Sequence, residues 1–312
     1  MKGRKKPLVL KKYEILMVYL KRNFPRFKDV QQEYQKSKKG YEGELQVDYH
    51  LEQILSHPFL ILHDVCLKVQ GRTFQIDNLI ITQSAMFKVE VKNFQGTLIF
   101  DTILDQFTRD NGESETGFSH PISQAELQRL HLQQWLQEKK IPSIPIYSFI
   151  AISDPSTIIK VEGDREEISK VVAHGAHIPR KILELNKQLP AHAALQDRTI
   201  GTMIRKECLD YDIDIMKRHD VKMSDLLPGV QCPACRVLGM ERIYNNWRCR
   251  KCNHRSPHAH EQTLNDYMLL GNTWITNSEC RWWLQVESRN IVTRLLKKSK
   301  LVYNAKRRRW EK

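Results

Sequence analysis

The sequence contains no long apolar run, only seven cysteines, and fewer acidic than basic residues. No apolar segment approaches the roughly 20 residues that a membrane span needs, so we expect no membrane segment. The basic stretch 1–6 precedes short apolar segments that Lys11, Lys12 and Glu14 interrupt. This is a poor secretory signal and favours a cytoplasmic location. The seven cysteines are an odd number that includes two CxxC pairs, which indicates metal ligation in a reducing compartment rather than disulfides.

The charge balance points to a polyanionic partner. Fifty basic residues face 36 acidic residues, which gives a formal charge of +14. Nucleic acid is the simplest partner for such a chain, although a basic protein that is merely soluble is the alternative. At 312 residues, the chain has room for one sizeable domain and one or two small ones.

The stretch 74–92 predicts two strands joined by a tight turn. Residues 74–81 and 86–92 are rich in β-branched and aromatic residues, and residues 82–85 separate them. If Ile81 pairs with Met86 in an antiparallel hairpin, residue numbers of partners add up to the same sum along the ladder.

This register predicts an acidic site with a neighbouring amine. Asp77 lies opposite Glu90, and Lys92 shares their face with Gln75 across from it. Two facing carboxylates among apolar residues repel each other, and Mg²⁺ or Mn²⁺ relieves that repulsion. A ladder of charges on the surface is the alternative. A covered strand pair is favoured because the opposite face is apolar, with Ile76, Ile80, Val89 and Val91.

A further carboxylate lies on a predicted helix over residues 42–55. Val47, Leu51 and Ile54 form its apolar stripe, and Glu44 lies at the N-terminal end of the same stripe. A first-turn glutamate that the helix dipole favours would explain Glu44 without a functional role.

The two CxxC pairs predict a zinc ribbon. Thirteen residues separate the pairs, and four thiolates complete the tetrahedral shell of a structural Zn²⁺. A redox role needs only one CxxC in a thioredoxin-like context, which this sequence does not have. The expected ligands are Cys232, Cys235, Cys249 and Cys252.

The C-terminus predicts a basic helix-turn-helix with a following wing. Helices are expected over 278–284 and 289–298, and residues 301–310 could form the wing. Eleven lysines and arginines lie within 281–312, which fits contact with DNA phosphates; a small helical tail with a solvated basic end is the alternative. The candidate nucleic-acid contacts are Arg289, Arg294, Lys297, Lys298, Arg307 and Arg308.

The remaining segments predict an α/β chain of several parts. Other strands are expected over 60–69, 96–101, 106–110, 146–152 and 167–173, and other helices over 121–139, where Ser119 is the expected cap, and 179–188. The predicted parts are a basic, partly helical arm (1–39), an α/β domain (40–155), a further strand and helical region with a linker (156–228), the zinc ribbon (229–256) and the basic C-terminal module (260–312).

Four short motifs carry a resemblance to a known family. They are Gly40-Tyr-Glu-Gly43-Glu44, Phe74-Gln-Ile-Asp77, Glu90-Val-Lys92-Asn93-Phe-Gln-Gly96 and Pro121-Ile-Ser-Gln124. Together they resemble the nuclease-related domain (NERD) family of the PD-(D/E)XK nuclease superfamily, with Ile76 in place of the proline. The whole chain resembles long NERD proteins of Bacillus-type bacteria.

The resemblance implies a fold and a set of roles. The fold is a restriction-endonuclease-like mixed sheet core flanked by helices, beside the zinc ribbon and a small, winged-helix-like module. Asp77 and Glu90 would bind Mg²⁺ or Mn²⁺, Glu44 would be a third acid, and Lys92 would activate water. Gln124 would contact the substrate or a water on the metal.

The sequence therefore favours a metal-dependent nuclease that acts on DNA. One alternative is a non-catalytic DNA-binding or regulatory protein that uses the zinc ribbon and the helix-turn-helix. Another is an RNA-processing nuclease, because charge alone does not distinguish the two nucleic acids. No oligomeric state follows from the sequence.

Overall fold

The computed structural model describes residues 4–195 and 199–311. Residues 1–3 of the predicted arm, residues 196–198 of the predicted 156–228 region and Lys312 of the predicted C-terminal module lie outside the described residues. The chain divides into two compact units. Unit 1 comprises Met1–Pro7 and Lys36–Tyr211, and unit 2 comprises Leu8–Gln35 and Asp212–Lys312.

The helices and strands of the described residues alternate along much of the chain. The helices are α1 (Leu8–Tyr19), α2 (Phe27–Leu51), α3 (Pro121–Glu138), α4 (Arg165–Val171), α5 (Ile178–Gln188), α6 (Thr199–Glu207), α7 (Ile215–Arg218), α8 (Ala259–Leu269), α9 (Asn277–Leu284) and α10 (Arg289–Lys298). The strands are β1 (Leu60–Val69), β2 (Arg72–Ile81), β3 (Met86–Lys92), β4 (Thr97–Asp101), β5 (Gln106–Asp110), β6 (Glu115–Phe118), β7 (Ile146–Ile152), β8 (Ile158–Glu162), β9 (Val172–His174), β10 (Val230–Gln231), β11 (Leu238–Ile243), β12 (Asn246–Arg248), β13 (Arg255–Ser256), β14 (Trp274–Ile275), β15 (Val302–Asn304) and β16 (Arg309–Glu311).

A mixed sheet forms the centre of unit 1, in the strand order β1-β2-β3-β7-β9. The first three strands are antiparallel, and β7 and β9 continue the sheet in parallel with β3. The predicted pairing of Ile81 with Met86 is confirmed, and the ladder runs from there to the pair Asn78 and Val89. It ends before the expected pair of Asp77 with Glu90, which is not formed. This mixed α/β architecture is consistent with a nuclease-like domain.

Helices cover both faces of that sheet because its strands are apolar on both faces. On one face, Leu132 and Trp135 of α3 pack with Ile204 of α6 against β1, β2 and β3. On the other face, Val47 of α2 and Ile182 of α5 pack against the alternate residues of the same strands. A smaller sheet in the order β6-β5-β4-β8 adjoins the end of β3 along the chain.

Three expectations about local structure are wrong. The helix that was predicted to begin at residue 42 begins at Phe27, because the polar stretch that follows Phe27 contains no proline that would end a helix. The boundary predicted between residues 39 and 40 therefore falls inside α2. The strand predicted over 167–173 is instead mainly helix α4, which Asp164 caps by accepting hydrogen bonds from two backbone N–H groups. The N-cap position of α3 is held by His120 rather than Ser119, without a capping hydrogen bond from the side chain, and Pro121 follows it.

Unit 2 has its own core. Tyr13, Leu16 and Tyr19 of α1 are buried in it together with Trp247 and Trp283. The sheets of this unit have the orders β10-β11-β12-β13 and β14-β16-β15. Among the described residues, no helix is long and apolar enough to cross a lipid bilayer.

Candidate active site

The β2–β3 ladder opens at Asp77. The last backbone pair is Asn78 with Val89, and at the next position the Asp77 Oδ2 atom accepts a hydrogen bond of 2.8 Å from the Val91 N–H group. The Asp77 carboxylate therefore takes up a donor of the neighbouring strand. Gln75, which was expected across from Lys92, donates instead to Asp64. The nearby Asp64 carboxylate is a stronger hydrogen-bond acceptor for Gln75 than any group across from it on β3, because the β2–β3 ladder has already ended at Asn78.

Glu90 and Lys92 meet on the face of β3 that α3 covers. The Glu90 side chain is only 5% exposed, and its Oε1 atom lies 2.9 Å from the Lys92 Nζ atom. Lys92 Nζ also donates a 2.8 Å hydrogen bond to the Gln124 Oε1 atom. Three of the five side chains predicted for the site are thus in direct contact.

Two further polar side chains join this network, and the sequence reasoning gave neither of them a role. Gln128, one turn after Gln124, donates a 3.0 Å hydrogen bond to Glu90 Oε2 and accepts one of 2.7 Å from Lys88 Nζ. Lys88 is fully buried, and this desolvation lowers the pKa of its amine to about 8 against the raising effect of Glu90. The alternation Lys88, Glu90, Lys92 on one face was the available signal.

Glu44 extends from α2 toward the same carboxylates. Burial raises the pKa of Glu44 to about 7, the positive charge of Arg4 opposes this shift, and the charge of Glu90 adds to it. Burial also raises the pKa of Asp77 well above its ordinary value, and the charges of Glu90 and then Glu44 raise it further. The charges of these acids therefore interact, and a cation bound among them would stabilise their ionised forms.

The acids do not form a closed cluster of ligand atoms. Within residues 4–195 and 199–311, the only group of at least three potential ligand side chains with all donor atoms within 4.8 Å of one another is formed by cysteines. The carboxylate oxygens of Glu44, Asp77 and Glu90 are thus near one another, but they lie farther apart than the ligand atoms of a complete coordination shell.

Gly43 determines how closely α2 approaches the end of β3. A Cβ atom at Gly43 would lie 2.6 Å from the Asn93 Cβ atom and 2.7 Å from the Ser153 Oγ atom. Asn93 also donates a 2.7 Å hydrogen bond to the Lys39 carbonyl of the same helix. The absence of a side chain at Gly43 therefore places the next residue, Glu44, near the acidic face.

We predict that Gly43→Ala lowers the free energy of unfolding by about 1–3 kcal/mol, because the new methyl group forces α2 away from Asn93. Gly40→Ala is the matched control in the same helix, since no atom lies within 4 Å of its added Cβ. That change should raise stability by up to about 1 kcal/mol through helix propensity. Urea denaturation measures both, and equal effects of the two changes would contradict the packing argument.

The four predicted zinc ligands lie together in unit 2. The Sγ atoms of Cys232 and Cys252 are 3.7 Å apart, and those of Cys235 and Cys249 are 3.6 Å apart. A tetrahedral Zn²⁺ with Zn–S bonds of about 2.3 Å has sulfur–sulfur edges of about 3.8 Å. Backbone N–H groups of Cys252 and Lys251 lower the pKa of the Cys249 thiol to about 6. The four cysteines could therefore bind a metal such as zinc.

The predicted nucleic-acid contacts are exposed on unit 2. Helices α9 and α10 follow each other closely, with Thr276 and Ser288 as their N-caps, and β15 and β16 form a hairpin after them. Val292, Leu295 and Leu296 face the core. All six predicted contacts are exposed, namely Arg289, Arg294, Lys297, Lys298, Arg307 and Arg308.

Comparison with known proteins bears on unit 1. Residues 39–153 match the nuclease-related domain family. A stretch of 112 residues, 36% of the chain, is 28% identical to an uncharacterized protein of Bacillus anthracis. The matched stretch covers 52% of that protein, so the chain spans about half the length of this relative. No solved structure matches the chain significantly.

Proposed function

We propose that this chain, whose residues 39–153 match the nuclease-related domain family, is a metal-dependent phosphodiesterase that hydrolyses DNA. One observation carries the proposal. Lys92 contacts both Glu90 and Gln124, and the Asp77 carboxylate accepts from the Val91 N–H group next to Lys92, so that two acids, an amine and an amide lie at the same end of the β2–β3 hairpin. The family match and the excess of basic residues support a nucleic acid as the substrate.

The donor set fits a hard divalent cation. Asp77 and Glu90 offer carboxylate oxygens, and Glu44 offers a further one either directly or through water. Their burial raises the cost of keeping several negative charges unpaired, as the elevated pKa values of Asp77 and Glu44 indicate. When bound there, Mg²⁺ or Mn²⁺ would neutralise charge on the scissile phosphate.

The position of Lys92 suits an interaction with the attacking water or with the phosphate. Its side chain is 19% exposed, so the amine reaches solvent while Glu90 and Gln124 fix its direction. An ammonium group held this way can orient the attacking water and stabilise the negative charge that develops during phosphodiester hydrolysis. After losing a proton, the same amine could accept one from that water.

Unit 2 would hold the substrate. We assign Zn²⁺ to the four cysteines as a structural ion, because four thiolates leave no open coordination position for chemistry. The helix pair α9–α10 and the β15–β16 hairpin form the proposed helix-turn-helix and wing. Their exposed arginines and lysines suit phosphate contacts on DNA.

A cleavage assay tests this proposal. The full chain should degrade linear, circular or single-stranded DNA with Mg²⁺ or Mn²⁺, and EDTA should stop the reaction. Lys92→Met should reduce the cleavage rate by about 100-fold or more, because an amine that orients or deprotonates the nucleophile is lost. Lys160→Met, the same change at an exposed position of β8, should retain the parental rate. Equal rates for both variants would exclude Lys92 from the reaction.

The alternative is a nucleic-acid-binding protein without cleavage activity. The exposed basic surface of unit 2 favours binding independently of the acidic site. A gel shift with DNA, combined with no cleavage under any divalent metal, would support this alternative. A parallel assay with RNA separates a ribonuclease from a deoxyribonuclease.

A further inference from the structure

Arg4 lies far outside the matched domain in sequence, yet its side chain is buried beside the proposed active site. The Arg4 side chain is only 1% exposed. The Nη1 atom donates a 2.8 Å hydrogen bond to Glu44 Oε2. The Nη2 atom donates to the Asp77 carbonyl at 2.9 Å and to Asn78 Oδ1 at 3.0 Å. One residue from the first segment of unit 1 therefore connects α2 with β2.

The bond to the Asp77 carbonyl occurs where the β2–β3 ladder opens. Backbone pairing ends at Asn78, and the Val91 N–H group donates to the Asp77 side chain. The carbonyl of Asp77 accepts from Arg4 in the same place. Arg4 thus satisfies a backbone group at the position where the Asp77 carboxylate is turned toward β3.

Asp48 fixes the orientation of the guanidinium. Its Oδ2 and Oδ1 atoms accept from Arg4 Nε at 2.7 Å and Nη2 at 3.1 Å, which is a bidentate geometry. The Oδ1 atom of Asp48 also lies 3.3 Å from His63 Nδ1. Both Asp48 oxygens are therefore occupied, whereas Arg4 contacts only one oxygen of Glu44 and leaves the other available.

We propose that Arg4 is a positioning residue of the active site, which holds the Glu44 carboxylate and the Asp77 end of β2 in place for the divalent cation. The inference rests on the proposed function of the acidic site. The first segment of the chain would then belong to the active site, and the two acids of α2 would have different roles. Asp48 anchors Arg4, and Glu44 acts toward the metal.

Two variants of the full chain test this role. Arg4→Gln removes the charge and most of the donors, and Arg4→Lys keeps the charge without the planar fork. Both should weaken Mn²⁺ binding and lower kcat/KM by about 10- to 100-fold, as is typical for a residue that orients metal ligands. Raising the Mn²⁺ concentration should restore part of the cleavage rate in both variants. Lys5→Gln, a neighbouring exposed change, should match the parent.

Mn²⁺ binding is measured by titration, with Asp77→Asn as the reference for loss of the site, and melting curves are recorded on the same samples. Arg4→Lys provides the test if Arg4→Gln does not fold. Parental Mn²⁺ affinity in a folded Arg4→Lys chain would overturn the inference while leaving the nuclease proposal intact. Mn²⁺ binding that depends on Arg4, in a chain that cleaves nothing, would reject the nuclease proposal alone. A parent chain in which Asp77→Asn changes no Mn²⁺ binding would overturn both.

Discussion

Asp77→Asn should reduce metal-dependent DNA cleavage by about 1000-fold or more. Loss of one carboxylate ligand removes charge stabilisation that a bound cation supplies, and about 4 kcal/mol in the activation barrier corresponds to that factor. Asparagine preserves the shape of the side chain and an oxygen that can accept from the Val91 N–H group. The expected loss is therefore one of charge, and initial cleavage rates at saturating Mg²⁺ measure it.

Glu113→Gln is the matched control for this change. It neutralises an exposed carboxylate in the loop between β5 and β6 of the same unit, and its rate should equal that of the parent. Denaturation curves should show that Asp77→Asn is at least as stable as the parent, because burial and the charges of neighbouring acids destabilise the ionised Asp77 carboxylate. A cleavage rate within tenfold of the parent would rule out Asp77 as a metal ligand.

Cys249→Ser should release zinc from unit 2 and unfold the sheet that contains β10–β13. That sheet consists of short strands, and structural Zn²⁺ sites in small modules contribute apparent binding free energies of about 10–16 kcal/mol. Serine cannot replace the thiolate at neutral pH, so the shell of four sulfurs is broken. Elemental analysis should give one zinc per parent chain, and much less than one in the variant.

The control for this prediction is Cys280→Ala. Cys280 is fully buried in unit 2 but lies outside the group of four cysteines. Its replacement should reduce stability through lost packing while leaving the zinc content at one per chain. Retention of zinc by Cys249→Ser, with unchanged resistance to proteolysis, would show that these cysteines do not form the metal site.

The parts of the fold that local patterns determine could be predicted from the sequence. The bounds of β1, β3, β7 and α10 agree with the expectations, because alternating or helical apolar patterns ended at clear turn or cap residues. The pairing of Ile81 with Met86 followed from the short connection between two strands. The grouping of the four cysteines followed from their spacing alone.

Other features depend on tertiary contacts that no local pattern shows. The stretch 167–173 contains β-branched residues typical of a strand, but the capping by Asp164 and the burial of Ile168 favour a helix. Arg4 appeared only as one member of a basic run, and its partners lie at least 40 residues away. The alternation of Lys88 with Glu90 and Lys92 indicates a shared face of β3, but the partner of Lys88 is not visible in that pattern, because Gln128 is contributed by a distant helix.

The proposed reaction requires that Asp77 and Glu90 bind one divalent cation together. Calorimetric titration of the full chain with Mn²⁺ tests it most directly, with the double variant Asp77→Asn, Glu90→Gln as the comparison. We expect a Mn²⁺ site in the parent that is absent from the double variant, with zinc content unchanged in both. Identical Mn²⁺ isotherms for the two proteins would contradict it.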